Sequence, residues 1–264
     1  MLVKEITSRD NQYLKRLNKL KLKKYRDELG IFVVENIKTI LDGAKSGYQF
    51  EQLFVTQEVL DKYPELSEKM TDKQEIFLVP KVLVKSFSSL EESSGVFAIY
   101  AKPQEVALTK IQNISPLVYL NGVADPGNLG TILRSAAAFD AKTIITDDNS
   151  ADFYNQKTVA AAKDAIFKLT LIRSKNGSDD LRELQSNGWK IWSAVLGEKS
   201  LPKILPGAKD KICLVVGSEG SGIDREIIAL SDKLFSLPMS DKIESLNVAI
   251  ASSLVLSDFF RSKK

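Results

Sequence analysis

A chain of 264 residues, 44% hydrophobic and 27% charged, is long enough to bury one large core or two ordinary ones. It holds no histidine and one cysteine, Cys213, which excludes Ser-His-Asp and Cys-His nucleophile arrangements, the usual zinc sites and any disulfide within the chain. Net charge is only +3, yet residues 1–26 carry +7 and the remainder −4, so positive charge is concentrated at one end.

The first stretch, "MLVKEITSRD", lacks the apolar run of a secretion signal, and no later apolar run approaches membrane-spanning length. With the lone cysteine, this gives the expectation of a cytoplasmic protein. Tyr13, Leu14, Leu17 and Leu20 recur at helical spacing and predict an amphipathic helix with a basic opposite face. That face is either simply solvated or a contact for a polyanion such as RNA, with Arg16, Lys19, Lys23, Lys24 and Arg26 as the candidate RNA-binding residues. From Gly30 onward, "IFVVE", "EQLFV", "EIFLV" and "GVFAIYAK" read as strands. They alternate with helical stretches at "NIKTILDGAKSG", after Val55 and at "PKVLVKSF", while "SSLEESSG" (88–95) reads as a surface loop. The expectation is a small α/β domain ending near Lys102, bridged by "KPQEVALTKIQNIS" to a second series.

In that second series, strands are predicted at 116–121, 142–147, 190–195, 211–216 and 234–238. Helices are predicted near 128–139, 156–167, 178–187, 224–232 and 245–262. Apolar strands alternating with helices imply a mostly parallel sheet covered on both faces. Ligands of such sheets bind at the carboxyl ends of the strands.

Three polar loops follow predicted strands. In "NGVADPGNLGTILR", Pro126 and Gly127 make a turn and Asn128 is a candidate N-cap. One turn either side of Arg134 stand Gly130, Thr131, Ala137 and Ala138, a clearance suited to an approaching ligand or partner chain. In "VVGSEGSGI", Gly217, Gly220 and Gly222 have neither the dinucleotide nor the phosphate-loop spacing. They allow close backbone approach to a ligand, or simply a tight turn, and Glu219 could pair with a basic group. In "LPMSDKIESLNVAIASSLVL", Ser245 is a candidate N-cap, and Asn247 with the backbone at Leu246 could face a polar ligand.

Together these loops resemble, in order and spacing, the three motifs of the SpoU (TrmH-like) family of RNA ribose 2′-O-methyltransferases in the SPOUT, or α/β-knot, superfamily. The N-terminal "ITSRDNQYLKRLNKLKLKKYRDELGIFVVE" and "SSGVFAIYAK" resemble its L30e-like RNA-binding domain. Asn36 stands where relatives carry glycine, and Ala249 where they carry serine. The resemblance implies an L30e-like domain over 1–103 and a methyltransferase domain with a deep trefoil knot over 104–264. It implies S-adenosylmethionine as methyl donor, no metal, and a homodimer with the site built between protomers. By position, Gly217, Leu237, Met239, Leu246 and the 193–197 segment, with Leu196 and Gly197, would line the cofactor pocket. Arg134, Asn128, Glu219, Ser245 and Asn247 would form the catalytic group. Large-subunit (23S) ribosomal RNA is the expected substrate, with transfer RNA as the alternative. A non-catalytic RNA-binding protein and, from the glycine loop, a nicotinamide-dependent oxidoreductase are the rival readings.

Overall fold

The computed structural model describes residues 2–68, 74–88, 94–111, 116–197, 211–240 and 242–262. It divides into two compact units, one of Met1–Pro103 with Tyr154–Phe167 and one of Gln104–Phe153 with Lys168–Lys264. The middle of the 88–95 loop, the end of the 102–115 bridge and residues 198–210 lie outside the described residues.

In chain order the first unit contains β1 (Leu2–Glu5), α1 (Gln12–Lys19), α2 (Lys23–Leu29), β2 (Ile31–Val34), α3 (Ile37–Lys45) and β3 (Gln52–Val55). These are followed by α4 (Gln57–Lys62), α5 (Glu65–Glu68), β4 (Glu75–Leu78), α6 (Lys81–Phe87) and β5 (Val96–Ala101). The sheet order is β1-β4-β3-β5-β2, parallel across β1, β4 and β3 and antiparallel from β3 through β5 to β2. On one face, Leu14, Leu17 and Leu20 pack on Phe54, Phe77 and Ile99, all at most 2% exposed, as the leucine spacing requires.

The second unit begins with β6 (Leu117–Asn121), α7 (Pro126–Ala138) and β7 (Thr143–Thr146). The chain then forms α8 (Gln156–Ala162) and a 3₁₀ turn ending at Phe167. This stretch was expected within the second domain but packs in the first unit. The reason is aromatic: Tyr154 and Phe167 complete a cluster with Phe32, Tyr48 and Tyr100, with ring centroids 4.7 Å (Tyr154–Phe32) and 4.9 Å (Phe167–Tyr48 and Phe167–Tyr100) apart. Gly43 of α3 lies under Phe167, and a Cβ there would meet the ring at 2.7 Å.

The chain continues with β8 (Thr170–Arg173), α9 (Gly177–Ser186), β9 (Lys190–Ala194), β10 (Ile212–Gly217), α10 (Arg225–Ala229), β11 (Lys233–Phe235) and α11 (Val248–Ser262). All six strands are parallel, in the order β11-β9-β10-β6-β7-β8. Alternation along the strands divides the core. Ile191, Cys213 and Val215 pack with Leu181, Leu184 and Ile227 of α9 and α10, whereas Trp192 meets Phe259 of α11 edge-on at 5.8 Å. Strand β8 and strand β1 were not among the predicted elements. Among the described residues, no helix is long and apolar enough to cross a membrane.

Candidate active site

Because the second sheet is parallel, its strands all end on one side, and the three polar loops emerge there. Between the ends of β9, β10 and β11 opens a cavity of about 370 Å³. Of the expected cofactor residues, Gly217, Leu196, Leu237, Met239 and Leu246 line it. Gly197 does not; it is exposed beyond the end of β9, with a φ of +77°. Ala194 and Val195 of the expected 193–197 segment, with Ser236, which the sequence did not single out, complete two of the walls.

Of the two readings left open for the glycines, the tight turn is the one the backbone shows. A Cβ on Gly217 would lie 2.2 Å from the Gly222 carbonyl, so the loop itself requires glycine there. Ser218 and Gly222 exchange two backbone hydrogen bonds of 3.1 Å, which fold residues 218–222 back on themselves.

That fold aims Glu219 at the two other loops. Its Oε1 accepts from the side-chain amide of Asn128 at 3.2 Å, from the side-chain amide of Asn247, and from the backbone N–H of Val248 at 3.0 Å. The Asn247 amide also donates to Asn128 Oδ1 at 3.1 Å. One carboxylate oxygen therefore ties all three loops together at the N-terminus of α11, where negative charge is favoured. Glu219 and Ser245 line the cavity, while Asn128 and Asn247 reach it through Glu219.

Both expected caps are corrected. Asp125, not Asn128, caps α7, its carboxylate accepting from the Asn128 N–H at 2.8 Å, with Pro126 in the first turn. Asn247, not Ser245, caps α11, accepting from the N–H groups of Ala249 at 3.0 Å and Ile250 at 3.3 Å. Cap duty on α7 thus falls to aspartate, which leaves the Asn128 side chain free to hold Glu219.

Arg134 is exposed and has no hydrogen-bond or ion-pair partner among the described residues. It does not line the cavity. Part of the small-residue pattern around it belongs to helix packing: Ser135 and Ser253 hydrogen bond at 2.7 Å where α7 meets α11, and Ala136 is fully buried. Thr131 and Ala138, on the side of Arg134, stay exposed.

On the first unit, Lys19 and Lys24 are exposed, and Lys19 sits 5.4 Å from the centre of the Tyr25 ring. Lys23 pairs with Asp27 at 2.5 Å, and Arg16 is half-buried, 3.5 Å from Gln52 Oε1. Arg26 is no surface contact. It is 2% exposed and donates to the carbonyls of Leu20 at 2.7 Å and Lys21 at 2.8 Å, pinning the joint between α1 and α2. Asn36 has an extended backbone, φ −149°, and caps α3 by accepting from the Thr39 N–H, so no glycine is needed there.

The SpoU rRNA Methylase family profile matches residues 115–257, and the MRM3-like substrate binding domain profile matches residues 11–98. The chain is 26% identical to the 23S rRNA (guanosine(2553)-2′-O)-methyltransferase RlmP of Bacillus subtilis, over 96% of this chain and 98% of that one. It is 36% identical to the 23S rRNA (guanosine-2′-O-)-methyltransferase RlmB of Ralstonia nicotianae, over 56% of this chain and 59% of that one. The solved structure of an AdoMet-bound rRNA methyltransferase from Sinorhizobium meliloti superposes with a TM-score of 0.87 at 27% identity, covering 98% of both chains. With three loops meeting at one carboxylate beside a strand-end cavity, and the family profile spanning the whole of that assembly, this chain belongs to the SpoU rRNA methylase family of S-adenosylmethionine-dependent RNA methyltransferases.

Proposed function

We propose that this chain transfers a methyl group from S-adenosylmethionine to a ribose 2′-hydroxyl of large-subunit (23S) ribosomal RNA. The observation that carries the reading is the Glu219 oxygen that gathers Asn128, Asn247 and the Val248 N–H at the cavity rim. The full-length likeness to a 23S rRNA methyltransferase favours ribosomal over transfer RNA.

The cavity fits the cofactor. Its volume of about 370 Å³ lies within the range of small-molecule sites. Leu237, Leu246 and Met239 offer apolar walls, and the 217–222 backbone offers polar groups beside them. Glu219 supplies the nearby negative charge that suits a sulfonium. When bound, the cofactor supplies an activated methyl group on a cationic leaving group. The protein's part is to align the 2′-oxygen and ease departure of its proton. A guanidinium stays protonated, so Arg134 acts by holding the adjacent phosphate and stabilising charge on the 2′-oxygen. Glu219 fixes Asn128 and Asn247, and Ser245 adds a hydroxyl at the rim.

Arg134 lies off the cavity wall of its own chain, which suits a homodimer in which each arginine serves the partner's cavity. The trefoil knot expected of the family would bring the 217–223 and 237–247 segments around the cofactor. The exposed lysines of α1 and α2 would hold the RNA backbone. Mapping 2′-O-methyl positions in total RNA from cells with and without the protein tests the reading. Loss of one 23S position supports it. Loss of a transfer RNA position moves the substrate, and an unchanged map overturns the assignment.

A further inference from the structure

At the other edge of the same loops lies a second, polar cleft of about 240 Å³, formed by the ends of β6, β7 and β8 and the starts of α9 and α10. At its base sits Asn121, the last residue of β6, 3% exposed. Its side-chain nitrogen donates to Asp147 Oδ2 and to Asp224 Oδ2, each at 2.8 Å. Its side-chain oxygen accepts from the Asp224 N–H at 2.7 Å. Asp147 is held in turn by the N–H groups of Gly122 and Ser150 and by the Ser150 hydroxyl.

These bonds join the two ends of the catalytic assembly. Asn121 is the register partner of Gly217, where the Glu219 loop leaves the sheet, and Asp224 is the residue at which that loop ends. Asn121 also immediately precedes the loop that carries Asn128. Only a carboxamide meets the demands made here, which are two N–H donors for two carboxylates and an acceptor for a main-chain N–H. A carboxylate would leave three acidic groups facing one another without a bridging proton, and an aliphatic side chain would take from Asp224 both the donor to its Oδ2 and the acceptor of its N–H.

We infer that Asn121 is a positioning residue for methyl transfer, its carboxamide clamping the exit of the 217–223 loop so that Glu219 stays within reach of Asn128 and Asn247. This inference rests on the function proposed above. It assigns Asn121 no contact with substrate or cofactor.

The test is Asn121→Asp, assayed for methyl transfer and for S-adenosylmethionine binding across pH. The new carboxyl would face Asp147 from the end of β7 and Asp224 before α10, with Asp148, Lys175 and Glu226 further out in the cleft. Like charges raise its pKa, so the clamp re-forms only when a proton is shared. Turnover should be down about 100-fold near pH 8, as expected for a displaced catalytic group. It should recover roughly tenfold per pH unit toward acid, a limb the wild-type chain lacks. A merely structural asparagine would lower the melting temperature without creating that limb. Asn121→Ala adds no charge, and backbone hydrogen exchange in residues 218–224 should quicken in it while β6 stays protected. Wild-type pH dependence and cofactor affinity in Asn121→Asp, or unchanged exchange in Asn121→Ala, overturns the inference. Should the wild-type chain methylate no RNA, the functional reading fails, while the exchange experiment still decides the clamp.

Discussion

Asn247 and Glu219 hydrogen bond at the start of α11, and the same asparagine caps that helix through its side-chain oxygen. One residue therefore sets where the helix begins and where the carboxylate points. Glu219→Ala removes the shared acceptor and leaves the Asn128 and Asn247 amides and the Val248 N–H without it. Because Glu219 is exposed, stability should fall by no more than about 1 kcal/mol. Turnover should fall about 100-fold, since two positioned side chains are released together. Denaturant melts beside single-turnover kinetics check both parts.

Lys19 and Lys24 face solvent whereas Arg26 is buried, so the basic segment divides into two kinds of residue. Lys19→Glu and Lys24→Glu should each weaken RNA binding and reduce the slope of log affinity against log salt by about 1. Arg26→Ala should instead destabilise the first unit, by about 1–3 kcal/mol for the lost buried hydrogen bonds. Filter binding over a salt series, with a thermal melt of each variant, separates the two effects.

Phe167 is 4% exposed and packs on Gly43, Tyr48 and Tyr100 of the first unit. Phe167→Ala should cost that unit about 3–5 kcal/mol. A fragment ending at Pro103 lacks both Phe167 and Tyr154, so it should expose its aromatic face and bind a hydrophobic dye. A fragment as stable as the unit within the whole chain would show the segment to be dispensable.

Glu75 accepts from Lys4 at 2.6 Å and from Gln52 at 2.8 Å, and these bonds, the lysine's first, hold its carboxyl below the usual carboxylate range. A folded-state pKa below the unfolded one contributes stability above the unfolded pKa and loses it as pH falls through the folded one. Stability of the first unit should therefore decline below about pH 5, and less steeply in Glu75→Gln, whose side chain does not titrate there. Urea unfolding at a series of pH values reads the difference.

Much of this architecture is legible in the sequence because strong apolar periodicity marks most of the elements. Strand β8 escapes notice because "TLIR" is short and only half-buried along its length, without alternation to mark it. Arg26 reads as exposed only if α1 continues past Leu20. The chain instead turns there and restarts at Lys23, which rotates the arginine inward. Ser245 and Asn247 are equally good caps by type, and only the position of Glu219 decides between them. Asn121 gives no local signal at all, since its partners lie 26 and 103 residues away.

The proposed reaction is methyl transfer at a cavity served by Arg134. Wild-type and Arg134→Ala chains, each given S-adenosylmethionine with a labelled methyl group and unmodified 23S RNA, test this directly. The prediction is that wild-type label protects one phosphodiester from alkali, as a blocked 2′-hydroxyl must. Arg134→Ala should bind the cofactor equally well yet transfer label about 100-fold more slowly. Absence of label with the wild-type chain, or undiminished transfer by the variant, would contradict it.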